Sequence, residues 1–350
     1  MQRRDFIAAC AALGCGAAQA QGDTADTPAV ASALAGKRLI TGLARAGGQA
    51  LVAVGQRGHV LRSADGGSNW TQAKVPVSSD LAAVQFVDAR IGHAAGHDGV
   101  VLRSEDGGAS WTRVLDGRAA NQMVLEHMQR KVAAGGSAED RQLLDEAQRN
   151  HELGPDKPLL DLWFSSASEG FVIGAYNLIF RTTDGGKSWL PWFDRSDNPK
   201  LLNLYAIRPA LGTLVIAGEA GLLLKLDTAE QRFQALPSDY KGSFFGVLGA
   251  PACALAFGMR GNAQLNAGSG LQPLRSGLAA SITAGDVAGE RVLLVDQAGG
   301  AVLSRDGGRQ FARVDTGAPM PLAAAVFSGD AVVLGGPRGL RRVELPKDKS

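Results

Sequence analysis

The feature that most restricts what this chain can fold into is an eight-residue device that occurs four times. It reads SADGGSNW at Ser63 to Trp70, SEDGGASW at Ser104 to Trp111, TTDGGKSW at Thr182 to Trp189, and SRDGGRQF at Ser304 to Phe311. In each copy a Ser or Thr, an Asp, two glycines and a ring stand at fixed offsets. The carboxylate can accept the backbone N–H groups of a tight turn, and the glycines can take the positive φ that a side chain resists. The ring then opens the returning strand. Four copies at fixed offsets predict a repeat architecture rather than one hairpin.

Spacing sets the length of the repeat. Asp65 and Asp106 lie 41 residues apart, Asp106 and Asp184 lie 78 apart, and Asp184 and Asp306 lie 122 apart, close to three periods. A second mark, a G-x-x-G-like turn ahead of each box, recovers the copies that have lost the device. It stands at Gly55, Gly96, Gly174, Gly218, Gly258, Asp296 and Gly336, which counts seven repeats. Apolar runs of strand length flank every mark, such as Leu81 to Val87 and Val100 to Ser104. Each unit therefore reads strand A, strand B, G-x-x-G turn, strand C, Asp-box turn, strand D.

Seven such units predict an all-β fold, a seven-bladed β-propeller of four-stranded antiparallel blades occupying 21–350 as one domain. The seventh unit supplies three strands before the chain ends, so an N-terminal strand within Thr27 to Ala35 is expected to complete it. The long interval after Asp106 has a visible cause. Residues 117–157 are polar, with Val124, Met128 and Val132 at helical spacing, then a Gly135-Gly136 break, then Ser137 placed to cap an arm carrying Leu143, Leu144 and Ala147. This predicts a helical hairpin inserted between blades 2 and 3.

Composition bounds the partners. The 36 basic and 34 acidic residues nearly balance, so no global field draws the chain to nucleic acid or anionic lipid. Residues 1–20 have the form of a cleaved export signal. Arg3 and Arg4 precede Phe6 and Ile7, an apolar run follows to Ala18, and Ala18-Gln19-Ala20 offers small residues for cleavage. The arginine pair resembles the twin-arginine type, and a periplasmic location is expected, with lipid anchoring at Cys15 the lesser alternative. Cleavage would leave Cys253 as the only cysteine, expected to be a small apolar core residue.

At its boxes the chain resembles the BNR/Asp-box proteins, and the pattern of G-x-x-G turn, strand and DGG-x-x-W looks most like the photosystem II stability and assembly factor family. The resemblance covers the chain outside the leader and the insert. It implies a seven-bladed, non-enzymatic propeller that holds a newly made membrane subunit during complex assembly, without a cofactor. The insert makes the chain look like the exported, non-photosynthetic bacterial branch, for which the partner would be a membrane protein complex or a transporter subunit. No nucleic acid or small-molecule substrate is expected, and a monomer is.

Candidate residues fall into three sets. Asp65, Asp106, Asp184 and Asp306 read as structural turns, because their spacing puts them on successive blades where they cannot converge as general acid and base; Trp70, Trp111, Trp189 and Phe311 read as packing between blades. The turn tips Arg57, His97, Asp98, Tyr176, Glu219, Arg260 and Arg338 share one face with the insert and form a candidate partner-binding rim. Arg62, Arg103 and Arg181, each three residues before a box aspartate, point to one side of equivalent strands and form a second candidate contact set. The alternative activity is a sialidase-like glycosidase or a carbohydrate-binding propeller. Sialidase chemistry needs an arginine triad and a Tyr–Glu pair. The chain has three tyrosines, and Ala206-Ile207-Arg208-Pro209 holds that family's motif letters in the wrong order. His93 and His97 stand four apart, which on a strand separates them by roughly 13 Å and argues against a shared metal.

Overall fold

The computed structural model describes residues 23–250, 253–266 and 270–346; the leader-like segment 1–20, with Cys10 and Cys15, lies outside them. Seven antiparallel sheets follow one another along the chain, six of four strands and the last of three. Blade 1 comprises Ile40–Arg45, Leu51–Gly55, Val60–Ser63 and Thr71–Gln72, and its A-B-C-D order recurs in blades 2 to 6. The B strands are the most buried. Leu51–Gly55, Gly92–Gly96 and Gly170–Gly174 are buried at every position, because each is covered by a neighbouring blade on both faces.

Strand A enters each of the first six blades through a break in register, as between Ile40 and Gly42 and between Leu81 and Ala83. The irregularity brings a carbonyl against the first glycine of the turn. A Cβ on Gly55 would lie 2.0 Å from the Leu39 carbonyl oxygen, and one on Gly96 would lie 2.2 Å from that of Asp80. The next residue donates to the same carbonyl, Gln56 N–H to Leu39 and His97 N–H to Asp80. The first glycine of G-x-x-G is thus required by close approach between strand A and the B-to-C turn.

The seventh blade corrects the expectation of an N-terminal fourth strand. Its strands are Ala324–Ser328, Ala331–Gly336 and Gly339–Glu344, and Thr27 to Ala35 form no strand with them. That segment lies instead along the outer edge of blade 1, where Ala29 N–H donates to Val75 and Gln72 holds Ser32 N–H and the Val30 carbonyl. Only its last turn reaches blade 7, with Gly36 against Gly339. Ring closure rests on side chains. Gly67 of the first box packs on Val333, Trp70 packs with Val326 and Val333, and Ser328 and Arg342 donate to the Gly66 carbonyl.

The insert is a pair of helices, α1 (Gly117–Ala133) and α2 (Ala138–Leu153). Asp116 caps α1 by accepting from Ala119 N–H, and Ser137 and Asp140 form a reciprocal capping box at the start of α2. The pair is docked on the ring. Met128 and Ala147 close over Phe193, a residue of the blade 3–4 connection.

Candidate functional site

The B-to-C tips and the insert share one face of the ring. Gly99, at the tip of blade 2, lies against Gly117, where α1 begins, and Tyr176, at the tip of blade 3, lies beside α2. The third residue of five tips is left-handed, namely Arg57, Asp98, Tyr176, Ala220 and Arg260, with φ between 53° and 56°. A side chain in that region costs roughly 1 kcal/mol relative to glycine. The tips nevertheless project Arg57, His97, Tyr176, Arg260 and Arg338 into solvent.

Not every candidate on the rim is free. Asp98 accepts the hydroxyls of Thr24 and Ser79, which ties it to the N-terminal segment. Glu219 accepts Asn203 N–H at 3.2 Å, and Tyr176 stands 57% exposed with the Lys157 ammonium 5.3 Å from its ring centre. The N-terminal segment also clamps the base of the insert. Arg118 bridges Asp23 and Asp26 at 2.7 and 2.9 Å, and Arg113 joins Asp26 at 2.8 Å.

The arginine set is turned toward neighbouring blades. Arg62 Nε donates to the Gly107 carbonyl at 2.9 Å, and Arg103 donates to those of Ala167 and Gly185, so these two strand-C arginines grip the Asp box of the following blade. Arg181 pairs with Glu169 at 2.7 Å and stacks 5.1 Å from the centre of Trp192. Arg342 completes the set across the closure, with its Nε 3.2 Å from the Gly66 carbonyl. Spacing conceals it because the blade 7 turn is one residue shorter: Gly336 pairs directly with Gly339, where blade 1 spans Gln56 to Gly58.

The box carboxylates are held in their own turns. Asp65 accepts the backbone and side-chain N–H groups of Asn69 and the Ser63 hydroxyl, which lowers its pKa from 3.8 to about 2. Asp184 is likewise held at about 2 by the hydroxyl and N–H of Ser188. Carboxylates in that range remain ionised at neutral pH and cannot donate a proton there. Burial raises Asp106, but the Ser110 hydroxyl and N–H outweigh it; Asp306 is lowered by Ser304 and the Gln310 N–H. Trp111 packs edge-on to Phe86, Trp189 edge-on to Phe164, and Phe311 against the blade 5–6 core. His93 is buried, stacked 3.5 Å over Phe164, and burial pushes its pKa down to about 3, so it is a neutral core residue.

Two clefts of about 940 Å³ stand out. One lies on the insert face between α2 and the blade 3–4 connection, lined by Asp194, Phe193, Leu201 and the acidic side of α2. At its edge Asp194 accepts from His127 at 3.0 Å and from Lys131 at 2.9 Å. Burial alone would raise Asp194, but those two partners outweigh it and hold its pKa at about 2. The other is an apolar trough on the Asp-box face, lined by Trp163, Phe171, Leu211, Leu214 and Leu226. Residue spacing points away from that face, and nothing in the box pattern announces the trough. The one local signal is Leu211-Gly212, an apolar turn where a polar pair is usual.

A closed ring of Asp-box blades with exposed side chains on its turn tips defines the class, an Asp-box β-propeller without a converged catalytic centre among the described residues. The family model described as "Photosynthesis system II assembly factor YCF48" matches residues 45–123 and 142–270, and the chain belongs to that family. The break in the match falls inside the helical insert. Among solved structures, one described as YCF48 bound to D1 peptide is 15% identical, with a TM-score of 0.65 over 92% of this chain and 100% of that one. YCF48 from Cyanidioschyzon merolae is 15% identical, with a TM-score of 0.61 over 89% of this chain and 96% of that one. The WD40 propeller domain of Doa1 is 9% identical at the same TM-score of 0.61, over 93% of this chain and 97% of that one, which shows that the ring itself is shared beyond the family. No curated protein matches the chain.

Proposed function

We propose that this chain is a non-catalytic scaffold that holds a segment of a membrane protein during assembly of its complex, working on the exported side of the membrane. Membership in an assembly-factor family carries the reading, and a solved relative bound to a peptide of D1 supports a polypeptide as the cargo. The leader-like start supports export to the periplasm. The main contact is the face that bears the insert, where Tyr176 stands beside α2 and the other tips present exposed Arg57, His97 and Arg260.

The test removes the insert. Pro155 packs directly on Gly117, so joining Asp116 to Asp156 spans a gap that is already closed. The deleted protein is expected to keep its circular-dichroism spectrum and to lose the membrane subunits that cross-link to the full chain in its native envelope. Identical cross-linked subunits with and without the insert would overturn the assignment of this face.

A further inference from the structure

Blade 7 is one strand short, and the place left open has a definite chemistry. Six sheets end on a strand D, whereas the seventh ends on its strand C, Gly339–Glu344. That strand runs for six residues, where the other strands C run for four or five. The other six carry no exposed residue, but here Arg342 and Glu344 are exposed, because no strand among the described residues lies along the outer edge.

Hydrogen bonding defines which groups face that edge. Leu345 N–H donates to the Asp330 carbonyl, one step before strand B, so by antiparallel alternation Leu340, Arg342 and Glu344 turn their N–H and C=O groups outward. Blades 1, 3 and 4 show what such groups receive. The Val60, Ile179 and Leu223 carbonyls, each two residues before the strand-C cation, accept the N–H groups of Ala73, Trp192 and Leu236 on the returning chain. Leu340 stands two residues before Arg342, and its carbonyl meets no such donor among the described residues. Charges set across an edge commonly guard it against pairing. Here Arg341 is drawn to the Thr316 and Ala318 carbonyls of the blade 6–7 connection, and Arg342 to the Gly66 carbonyl across the closure. Arg305 donates to the Pro346 carbonyl, which draws the chain after the strand toward the blade 6 box.

The tip-face end of the edge carries charge of one sign. Arg338 precedes the strand, Lys37 Cα lies against Gly339, and Gln56 N–H holds the Leu39 carbonyl, which sets Arg57 beside Arg38. Asp80 accepts the Arg57 backbone N–H. All four cationic residues are exposed, and none forms an ion pair among the described residues. A strand added antiparallel to strand C runs toward this end, as each strand D does, and brings its C-terminal residues to the four cations.

We propose that the open edge of blade 7 takes up an extended segment of a partner polypeptide as a fourth strand, with acidic residues at the C-terminal end of that segment against Lys37, Arg38, Arg57 and Arg338. The proposal rests on the scaffold reading and gives the cargo a conformation and a polarity. A second copy of this chain suits the edge less well. Pairing strand C with strand C would offer the four cations Glu344, which Arg342 already holds.

The probe is a fluorescein-labelled peptide, Gly-Ser-Thr-Val-Thr-Val-Asp-Asp-Glu, titrated with the full chain by fluorescence anisotropy. One control has the reversed sequence. The other is N-methylated at the first Val and the Thr after it, so that a pairing N–H is lost in either register. The forward peptide is expected to bind at least about tenfold more tightly than both. Glu344→Pro removes an outward N–H and keeps the Leu345 bond, and is expected to bind about tenfold more weakly with an unchanged circular-dichroism spectrum. Glu344→Ala keeps that N–H and is expected to bind at least as tightly as the parent. The triple variant K37Q/R38Q/R338Q is expected to lose the preference for the forward over the reversed peptide.

No binding of the forward peptide, equal binding of all three peptides, or equal affinity of Glu344→Pro and Glu344→Ala overturns the proposal. A parent dimer in analytical ultracentrifugation that becomes a monomer in Glu344→Pro gives the edge to a second copy and overturns it as well. The two readings fail separately. Native cross-links lost on insert deletion, with the forward peptide unbound, keep the scaffold reading and reject the open edge. Peptide binding that depends on the edge, with native cross-links unaffected by insert deletion, keeps the edge and rejects the insert face.

Discussion

The same side chain type does opposite work at two depths of this ring. Arginines on strand C, Arg62 and Arg103, are drawn inward because the Asp-box turn of the next blade presents unpaired carbonyls at their height. Arginines on the tips, Arg57 and Arg260, stand in solvent on left-handed backbone. The box aspartates show how completely a turn can occupy a carboxylate. Asp65 and Asp184 are held at about 2 against an ordinary 3.8, so their contribution to stability is present above pH 3.8 and is lost as pH falls through about 2. The unfolding midpoint in urea should therefore drop on acidification from about pH 5 to about pH 2, and less steeply in D65N/D184N than in the parent. Parallel pH profiles for the two proteins would show that these carboxylates are not the ones titrating.

At the scale of elements, the insert is an appendage with its own small core. Met128 is fully buried against Ala147 and Phe193, while most of α2 faces solvent. Truncating such a methionine removes about 2–4 kcal/mol of packing, and the loss here falls on docking rather than on a blade. Met128→Ala is thus expected to speed amide hydrogen exchange across 117–153 by roughly thirtyfold to several-hundredfold and to leave the B strands as protected as before. Equal acceleration in the B strands would mean that the insert and the ring unfold as one unit. Ser137 and the Gly135-Gly136 break made the hairpin legible from residues alone, since caps and breakers act within a few positions. Its seat on the blade 3–4 connection was not legible, because Phe193 and Asp194 lie some sixty residues from their partners on α1.

The whole molecule is a ring, and a ring must close. With three strands in blade 7, closure depends on packing of Trp70 and Gly67 against Val326 and Val333 and on Arg342 and Ser328 meeting the Gly66 carbonyl. Arg342→Ala should lower global stability by about 1 kcal/mol in urea titration, whereas Arg338→Ala, at an exposed tip, should stay within about 0.5 kcal/mol of the parent. Similar losses in both would remove Arg342 from the closure. Opposite charges also meet between blades that are not neighbours, where Arg45 of blade 1 reaches Asp286 of blade 6.

Repeat length, blade number, the face shared by tips and insert, and the structural duty of DGG-x-x-W were all written in spacing, because each depends on contacts within about one repeat. Three features were decided only by tertiary structure: the path of Thr27 to Ala35 along blade 1 instead of into blade 7, the inward use of the strand-C arginines, and the two clefts. Each is a contact between segments that lie tens of residues apart in the chain. Period-2 alternation says which side of a strand a residue takes, but not whether a neighbouring turn will be there to receive it. The acidic cleft is the clearest case. Glu139, Asp145 and Glu146 look like an ordinary solvated helix face until the blade 3–4 connection closes a cleft against it.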